Sequence, residues 1–177
     1  MTMTPRIRRL VLTMHLIASL GWLGAAIAYV ALDVTATTGQ DVQLVRAAFL
    51  AMEVTVRFVI VPLALASLLT GIVQSLGSPW GLFRHYWVLV SLLLTLFATI
   101  VLLVETQTIT ALAREAASRA DPRGLPGTLF HSIGGLVVLL TTTILNVYKP
   151  RGLTRYGWRR QHEQRREQHQ QRTALVP

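Results

Sequence analysis

The sequence contains no cysteine among its 177 residues. This absence excludes disulfide bonds, thiolate metal sites, haem attachment through a CxxCH motif and cysteine nucleophiles. Charged residues are also scarce, at 14% of the chain, whereas hydrophobic residues make up 52%. Because a soluble domain usually contains about 25% charged residues, this composition indicates a membrane protein.

Four long stretches contain no Asp, Glu, Lys or Arg: residues 10–32, 58–83, 85–104 and 124–148. A helix needs about 20 residues to cross the hydrocarbon core, and these stretches lack the alternating polarity of β-barrel strands. We therefore predict an all-α integral membrane protein, a four-helix up-down bundle with spans at about 10–32, 50–76, 85–105 and 128–148. The bundle would occupy residues 1–155, and residues 156–177 would form a basic, Gln- and Arg-rich cytoplasmic tail.

The distribution of basic residues predicts the orientation of the chain. Twelve of the seventeen basic residues belong to the N-terminus, the middle turn and the tail, and all twelve fall on one side of such a bundle. The positive-inside rule then places both termini in the cytoplasm. This topology, together with attraction of the tail to anionic lipid, explains the net charge of +9, so we predict no nucleic-acid partner.

Three local features carry further expectations. The segment DVTATTGQD, residues 33–41, is expected to end the first helix, and Asp41 to cap the second. Pro62 is expected to kink the second helix and to free a carbonyl near Phe58. Gly134 and Gly135 are expected to let a neighbouring helix approach closely.

On the cytoplasmic side, two histidines are candidate haem ligands. His15 lies within the first span and His85 at the start of the third, and these two spans are diagonal neighbours in an up-down bundle. Two imidazoles facing inward at one depth could ligate haem b. Alternatively, His85 lies among the lipid headgroups beside Tyr86, and His15 hydrogen-bonds a neighbouring helix. His131 is the second candidate haem ligand; it lies toward the opposite membrane face from His15, so it could ligate only a separate haem whose sixth position is open or not a histidine.

On the outer side, the candidates are Glu53, Arg57, Glu105 and His131. Glu53 and Arg57 are four residues apart on one helix and can form an ion pair. His131 follows a possible Thr128 cap, where the helix dipole favours a neutral imidazole. Such a cluster could bind a divalent metal ion, hydrogen-bond a quinone carbonyl or relay a proton. It could equally form an ordinary network of salt bridges at the interface.

Two stretches of the chain resemble known families. HLIASLGWLGA, with His15, Trp22 and Gly24, resembles the first helix of copper-resistance D-type bacterial membrane proteins. YWVLVSLLLTLFATIVLL and NVYKPRGLTRYGWR are similar to an uncharacterised family of bacterial four-span membrane proteins. That second resemblance extends from His15 to Arg160 and implies a multi-pass protein of the bacterial cytoplasmic (inner) membrane.

Three functions are compatible with these features. The first is transmembrane electron transfer by a cytochrome b-like bundle that binds haem b and interacts with quinone. The second is metal handling or transport through the outer cluster, in which a homo-oligomer would be expected. The third is a non-catalytic subunit or assembly partner of a larger membrane complex. The sequence favours electron transfer narrowly, and it does not decide whether the protein is an enzyme.

Overall fold

The computed structural model describes residues 3–77, 82–150 and 152–174. Its elements are the helices α1 (Pro5–Thr38), α2 (Val42–Thr55), α3 (Val61–Leu76), α4 (Tyr86–Ser118), α5 (Leu129–Tyr148) and α6 (Arg155–Ala174). A π-helical turn, Val56–Ile60, joins α2 to α3, so that Val42–Leu76 forms one continuous second span.

Four helical segments are long and apolar enough to cross a membrane: α1, the second span, α4 and α5. Large apolar side chains point outward along all four, including Leu20, Phe58, Val104 and Val147. A surface so rich in exposed apolar groups is suited to hydrocarbon rather than to water. The chain is therefore a multi-pass membrane protein whose spans contact lipid.

The spans form the predicted all-α bundle. α1 packs against the second span and against α5, and α4 packs against the same two neighbours. α1 and α4 are therefore diagonal across the bundle, as the up-down topology predicts. The buried core lies between the spans and includes Trp22, Tyr29, Phe49 and Met52.

The first helix extends beyond its predicted end. Residues 33–41 end α1 as predicted, but the helix continues through the first part of this segment to Thr38. The hydroxyls of Thr35, Thr37 and Thr38 donate to helix carbonyls three or four residues earlier. These bonds satisfy the threonine side chains within the helix. Asp41 caps α2 as predicted, since its carboxylate accepts the backbone N–H of Gln43 at 2.9 Å.

The second span and α4 also extend beyond the apolar runs. α2 begins at residue 42, before the span predicted from about residue 50. α4 continues to residue 118, beyond the span predicted to about residue 105, which agrees with the helical pattern of residues 108–120 in the sequence. The guanidinium of Arg46 donates to the carbonyls of Ala116, Arg119 and Ala120 at 3.0, 2.7 and 3.1 Å. Because the last carbonyls of a helix lack partners within it, these bonds stabilise the end of α4.

The π turn lies directly before Pro62. Proline has no N–H to donate to the carbonyl of Phe58, and the helix widens at this point, with the N–H of Val61 bonded to the carbonyl of Val56. Buried residues recur here at every fourth position, from Met52 and Val56 to Ile60 and Ala64. An α-helix of 3.6 residues per turn would rotate such a row away from the core, and the wider turn compensates for that rotation.

The two ends of the bundle bring together the segments predicted to share a side of the membrane. At one end Met3 lies against Gly77, and the backbone of Arg84 accepts the N–H of Thr154 at 3.0 Å. At the other end Arg123 donates to the carbonyl of Gln40 at 3.1 Å. Which end faces the cytoplasm remains a prediction from the charge distribution.

The predicted tail is helical over most of its length, as α6 (Arg155–Ala174). Its start is fixed by Thr154, whose hydroxyl donates to the carbonyl of Phe83 and accepts the N–H of Gly157. Residues 175–177 of the tail, and Arg151 among the basic residues, lie outside the described part of the chain.

Candidate functional site

A partly open cavity of about 430 Å³ lies between α1, the second span, α4 and α5. Its walls are mostly apolar and include Trp22 on α1, Ile60 on the second span and Leu139 on α5. Gly134 and Gly135 also line it, and a Cβ atom at either position would meet nothing within 4 Å. The expectation that these glycines serve close helix packing is therefore wrong, since they leave open space beside α5.

Two exposed aromatic rings border the cavity on α4 and α5. Phe97 on α4 and Phe130 on α5 line the cavity and are 60% and 87% exposed. The lining of this partly open cavity therefore includes side chains on the outer surface of both spans.

Polar groups are gathered at the end of the cavity nearest the loop between α4 and α5. The Nε2 atom of His131 lies 3.5 Å from a carboxylate oxygen of Glu105, and both residues line the cavity. The Glu105 side chain is 19% exposed and that of His131 is 49% exposed. This pair offers one acidic group and one imidazole to a molecule in the cavity.

A hydrogen-bond network reaches the same end of the cavity from α1. The hydroxyl of Tyr29 lies 3.1 Å from that of Thr128, which donates to the carboxylate of Asp33 at 2.8 Å. Asp33 is fully buried, and its carboxylate also accepts the backbone N–H of Thr128 at 3.1 Å and the hydroxyl of Ser132 at 2.9 Å. Tyr29, Thr128 and Ser132 all line the cavity.

The direction of these bonds follows from the chemistry of each group. A carboxylate only accepts hydrogen bonds, so the Thr128 hydroxyl uses its single proton on Asp33. The Tyr29 hydroxyl must then donate to Thr128. Its remaining acceptor capacity is left for a donor in the cavity.

Asp33 belongs to the candidate site although the sequence does not predict it there. It was assigned to a helix-breaking loop, whereas it lies inside α1, one turn after Tyr29 and on the same face. Thr128 is the N-cap residue of α5 as predicted, but its side chain does not cap that helix. The side-chain acceptor at the start of α5 is instead Asp33 on another helix, which accepts the backbone N–H of Thr128.

Gly127 permits this arrangement. A Cβ atom at position 127 would overlap the methyl group of Thr37 and lie 3.1 Å from a carboxylate oxygen of Asp33. Only glycine lets the loop pass this close to α1.

The predicted outer cluster consists of two pairs. Glu105 pairs with His131 at the cavity, and Arg57 pairs with Glu53 at 3.5 Å, as the spacing of four residues predicts. Arg57 lines a different groove, on the other side of Thr106. Within residues 3–77, 82–150 and 152–174, no ion pair joins the two pairs.

His15 packs against α3. Its Nδ1 atom lies 3.1 Å from the carbonyl of Ser67 and 3.2 Å from the hydroxyl of Thr70. Thr70 donates its own proton to the carbonyl of Ala66 at 2.6 Å, so both neighbours of Nδ1 act as acceptors. Nδ1 therefore carries the proton, and the neutral ring keeps its lone pair on Nε2. The ring fits closely over Gly71, where a Cβ would lie 3.1 Å from Cε1.

The other cytoplasmic-side candidate, His85, is the N-cap residue of α4 and forms a backbone bridge with Leu153. Its ring lies 6.5 Å from that of Trp87. The structure thus places His85 at an end of the bundle, whereas His15 lies within α1 against α3. Among the described residues, no group of three or more His, Asp or Glu side chains lies close enough together to hold a metal ion.

No protein family model matches the chain, and no curated protein or solved structure matches it either. The resemblances noted in the sequence therefore stay predictions.

Proposed function

We propose that this membrane protein binds a lipid-soluble quinone in the cavity between its four spans. The observation that carries the proposal is the combination of a long apolar wall with a polar end formed by Glu105, His131 and Tyr29. A quinone has the matching shape, with an apolar tail and a ring that carries hydrogen-bonding oxygens at one end. The cavity volume of about 430 Å³ lies in the usual range for small-molecule sites.

Each polar group has a distinct part in this proposal. An N–H of His131 donates to a ring carbonyl of the oxidised form, and Glu105 accepts from a ring hydroxyl of the reduced form. Tyr29, which donates its proton to Thr128, offers an acceptor to the same hydroxyl. Entry between the exposed rings of Phe97 and Phe130 would suit a ligand that diffuses within the bilayer.

Quenching of tryptophan fluorescence tests quinone binding, because Trp22 lines the cavity. The purified protein in detergent is titrated with a short-tailed benzoquinone. His131→Ala should weaken binding of this quinone roughly tenfold, the effect of losing one hydrogen bond. Glu105→Gln should weaken binding of the corresponding quinol, because an amide oxygen is a weaker acceptor for its hydroxyl than a carboxylate. Glu53→Gln is the control, since Glu53 belongs to the other ion pair.

Filling the cavity gives a second measurement. Gly135→Leu projects a side chain into the open space and should abolish quenching by the quinone. Gly24→Leu adds the same side chain on α1, at an exposed position outside the cavity lining, and should leave quenching unchanged. Equal quenching in Gly135→Leu and the wild type would contradict the proposal.

Haem b ligation by His15 is a second candidate function, favoured by the protonation state of its ring. A histidine that ligates iron through Nε2 usually donates its Nδ1–H to a carbonyl, and His15 has this arrangement with Ser67. Bound haem would supply one-electron transfer, in line with the sequence-based expectation. The second ligand, His85, remains a prediction. His131 lies at the opposite end of the bundle from His15 and could ligate only a separate haem.

An absorption spectrum of the purified protein, with a Soret band and with α and β bands on reduction, tests the haem candidate. Haem content should fall in His15→Ala and in His85→Ala. It should be unchanged in His162→Ala, which alters a ring stacked on Trp158 in the tail. Absence of haem from the wild type, or full retention of haem in His15→Ala, would contradict haem ligation by His15.

Metal handling and a non-catalytic role in a larger complex stay predictions from the sequence. The same holds for a homo-oligomer and for location in the bacterial cytoplasmic membrane.

A further inference from the structure

A second depression, separate from the cavity, lies between the second span and α4. It has a volume of about 350 Å³ and is lined by Arg57, Thr106, Gln107, Thr110, Ala111 and Arg114. We call it the arginine groove. Two helices contribute one guanidinium each, and the remaining lining residues are mostly hydroxyl and amide groups.

The positive charge of the arginine groove is only weakly compensated. Arg57 has one ion-pair contact, at 3.5 Å to Glu53, and its side chain is 54% exposed. Arg114 makes no ion pair with any described residue. The carboxylate next to it in the chain, Glu115, pairs with Arg119 at 3.0 Å. No carboxylate lines the groove.

The groove also holds hydrogen-bonding groups without partners. Thr106 donates to the carbonyl of Leu102 at 2.8 Å. By contrast, the side chains of Gln107 and Thr110 make no hydrogen bond with any other described residue. Their N–H and O–H groups, together with two guanidinium groups, form a set of donors suited to an anion with several oxygens.

The position of the groove along the spans indicates where an anion bound there would lie in the membrane. Arg57 directly precedes the uncharged run that begins at residue 58, and Arg114 lies beyond the uncharged run that ends at residue 104. The groove is therefore at the level where hydrocarbon gives way to headgroups. Exposed apolar side chains continue from it toward the hydrocarbon, including Phe58 and Val104.

We propose that the arginine groove binds a phosphate group, presented by the headgroup of an anionic phospholipid. Arg57 and Arg114 hold the phosphate oxygens, and Gln107 and Thr110 donate to the remaining ones. The acyl chains lie along the exposed apolar surface beside Phe58. Arginine favours such a site because its planar fork matches phosphate oxygens in pairs. This proposal is independent of quinone or haem binding.

Lipid-dependent thermal stability of the detergent-solubilised protein tests the proposal. Phosphatidylglycerol should raise the unfolding temperature of the wild type more than phosphatidylcholine does. Native mass spectrometry should show retained phosphatidylglycerol, and Arg57→Gln and Arg114→Gln should each weaken retention roughly tenfold, as expected for loss of a charge-assisted hydrogen bond. Arg119→Gln on the same helix is the matched control and should retain the lipid as the wild type does.

The outcomes separate the sources of the phosphate. Stabilisation by inorganic phosphate equal to that by phosphatidylglycerol would overturn the lipid assignment in favour of a free anion. Equal losses in Arg119→Gln and Arg114→Gln would show general charge attraction and overturn the site itself. Because Arg57 and Arg114 are both exposed, their glutamine variants should fold, and an unchanged helical circular dichroism spectrum checks this.

Discussion

The carboxylate of Asp33 accepts the backbone N–H of Thr128 at 3.1 Å, although the two residues are 95 positions apart. This bond joins the outer part of α1 to the first residue before α5. It closes the bundle between its first and last spans at the end where the candidate quinone site lies. The stability of that end should therefore depend on one buried carboxylate.

Asp33→Ala should destabilise the protein by about 2–4 kcal/mol, because the buried N–H and hydroxyl of Thr128 lose their acceptor. The hydroxyl of Ser132 keeps the carbonyl of Leu129 as an acceptor. Asp33→Asn should cost less, since the amide oxygen can still accept one bond. The free energy of unfolding in mixed detergent measures both effects. Glu163→Gln, at an exposed position in α6, is the control. An Asp33→Ala variant as stable as that control would contradict the assigned role.

Gly127→Ala should destabilise the protein by about 1–3 kcal/mol, because the added methyl group overlaps the methyl group of Thr37. Thr37→Ser removes that methyl group and keeps the hydroxyl. The double variant should therefore recover much of the loss in unfolding temperature. Gly134→Ala, where a Cβ meets open space, should be close to wild type. Failure of Thr37→Ser to rescue would show that the overlap is not the cause.

Asp121 in the loop before α5 should stay ionised at unusually low pH. Hydrogen bonds from Arg123 lower the pKa of its carboxyl to about 2. An unfolded chain has an Asp pKa of about 3.9. The contribution of this pair to stability is therefore complete above about pH 4 and is lost as the pH falls toward 2.

A titration of the Asp121 carboxyl by NMR, in detergent, measures this pKa directly. Arg123→Gln should move the midpoint upward toward the value of a free aspartate. Arg119→Gln should leave it unchanged, because Arg119 pairs with Glu115. A midpoint that does not respond to Arg123→Gln would show that the hydrogen bonds are not its cause.

The predicted topology places the loops after α1 and after α4 outside the cytoplasm. Thr38→Cys and Ala117→Cys introduce single thiols into a chain that has none. Both should react with a membrane-impermeant maleimide added to intact cells, whereas Thr173→Cys in the tail should react only after lysis. Labelling of position 38 from the cytoplasmic side alone would reverse the orientation.

The apolar runs predicted the four spans and their diagonal order correctly, because the cost of charge in hydrocarbon is visible in composition alone. The same criterion does not predict the position of Asp33, because the polar segment 33–41 indicates a helix end and α1 includes the first six residues of it. The donors to Asp33 come from Thr128 and Ser132, which are distant in sequence, so no local pattern reveals them.

The candidate site shows a similar division. Glu105 and His131 were predicted as members of one cluster, and the structure brings these two together. The separation of Arg57 from them was not foreseeable, because it depends on which face of α4 each neighbouring helix covers. The role of Gly135 is unpredictable for a related reason. In the sequence, a glycine that lets a neighbouring helix approach cannot be distinguished from a glycine that lines a cavity.

The π turn of the second span also marks the place where this span could lose one residue and keep its packing. A π turn holds one residue more than the α-helical turn it replaces. Deleting one residue between positions 56 and 60 would restore a regular helix, in which both flanking halves keep their buried sides inward. A deletion elsewhere in the span would rotate one half by about 100° and expose its buried row. The π turn that carries Arg57 therefore holds one residue more than the fold requires. Deleting that residue should preserve the bundle and should move Arg57 relative to the groove.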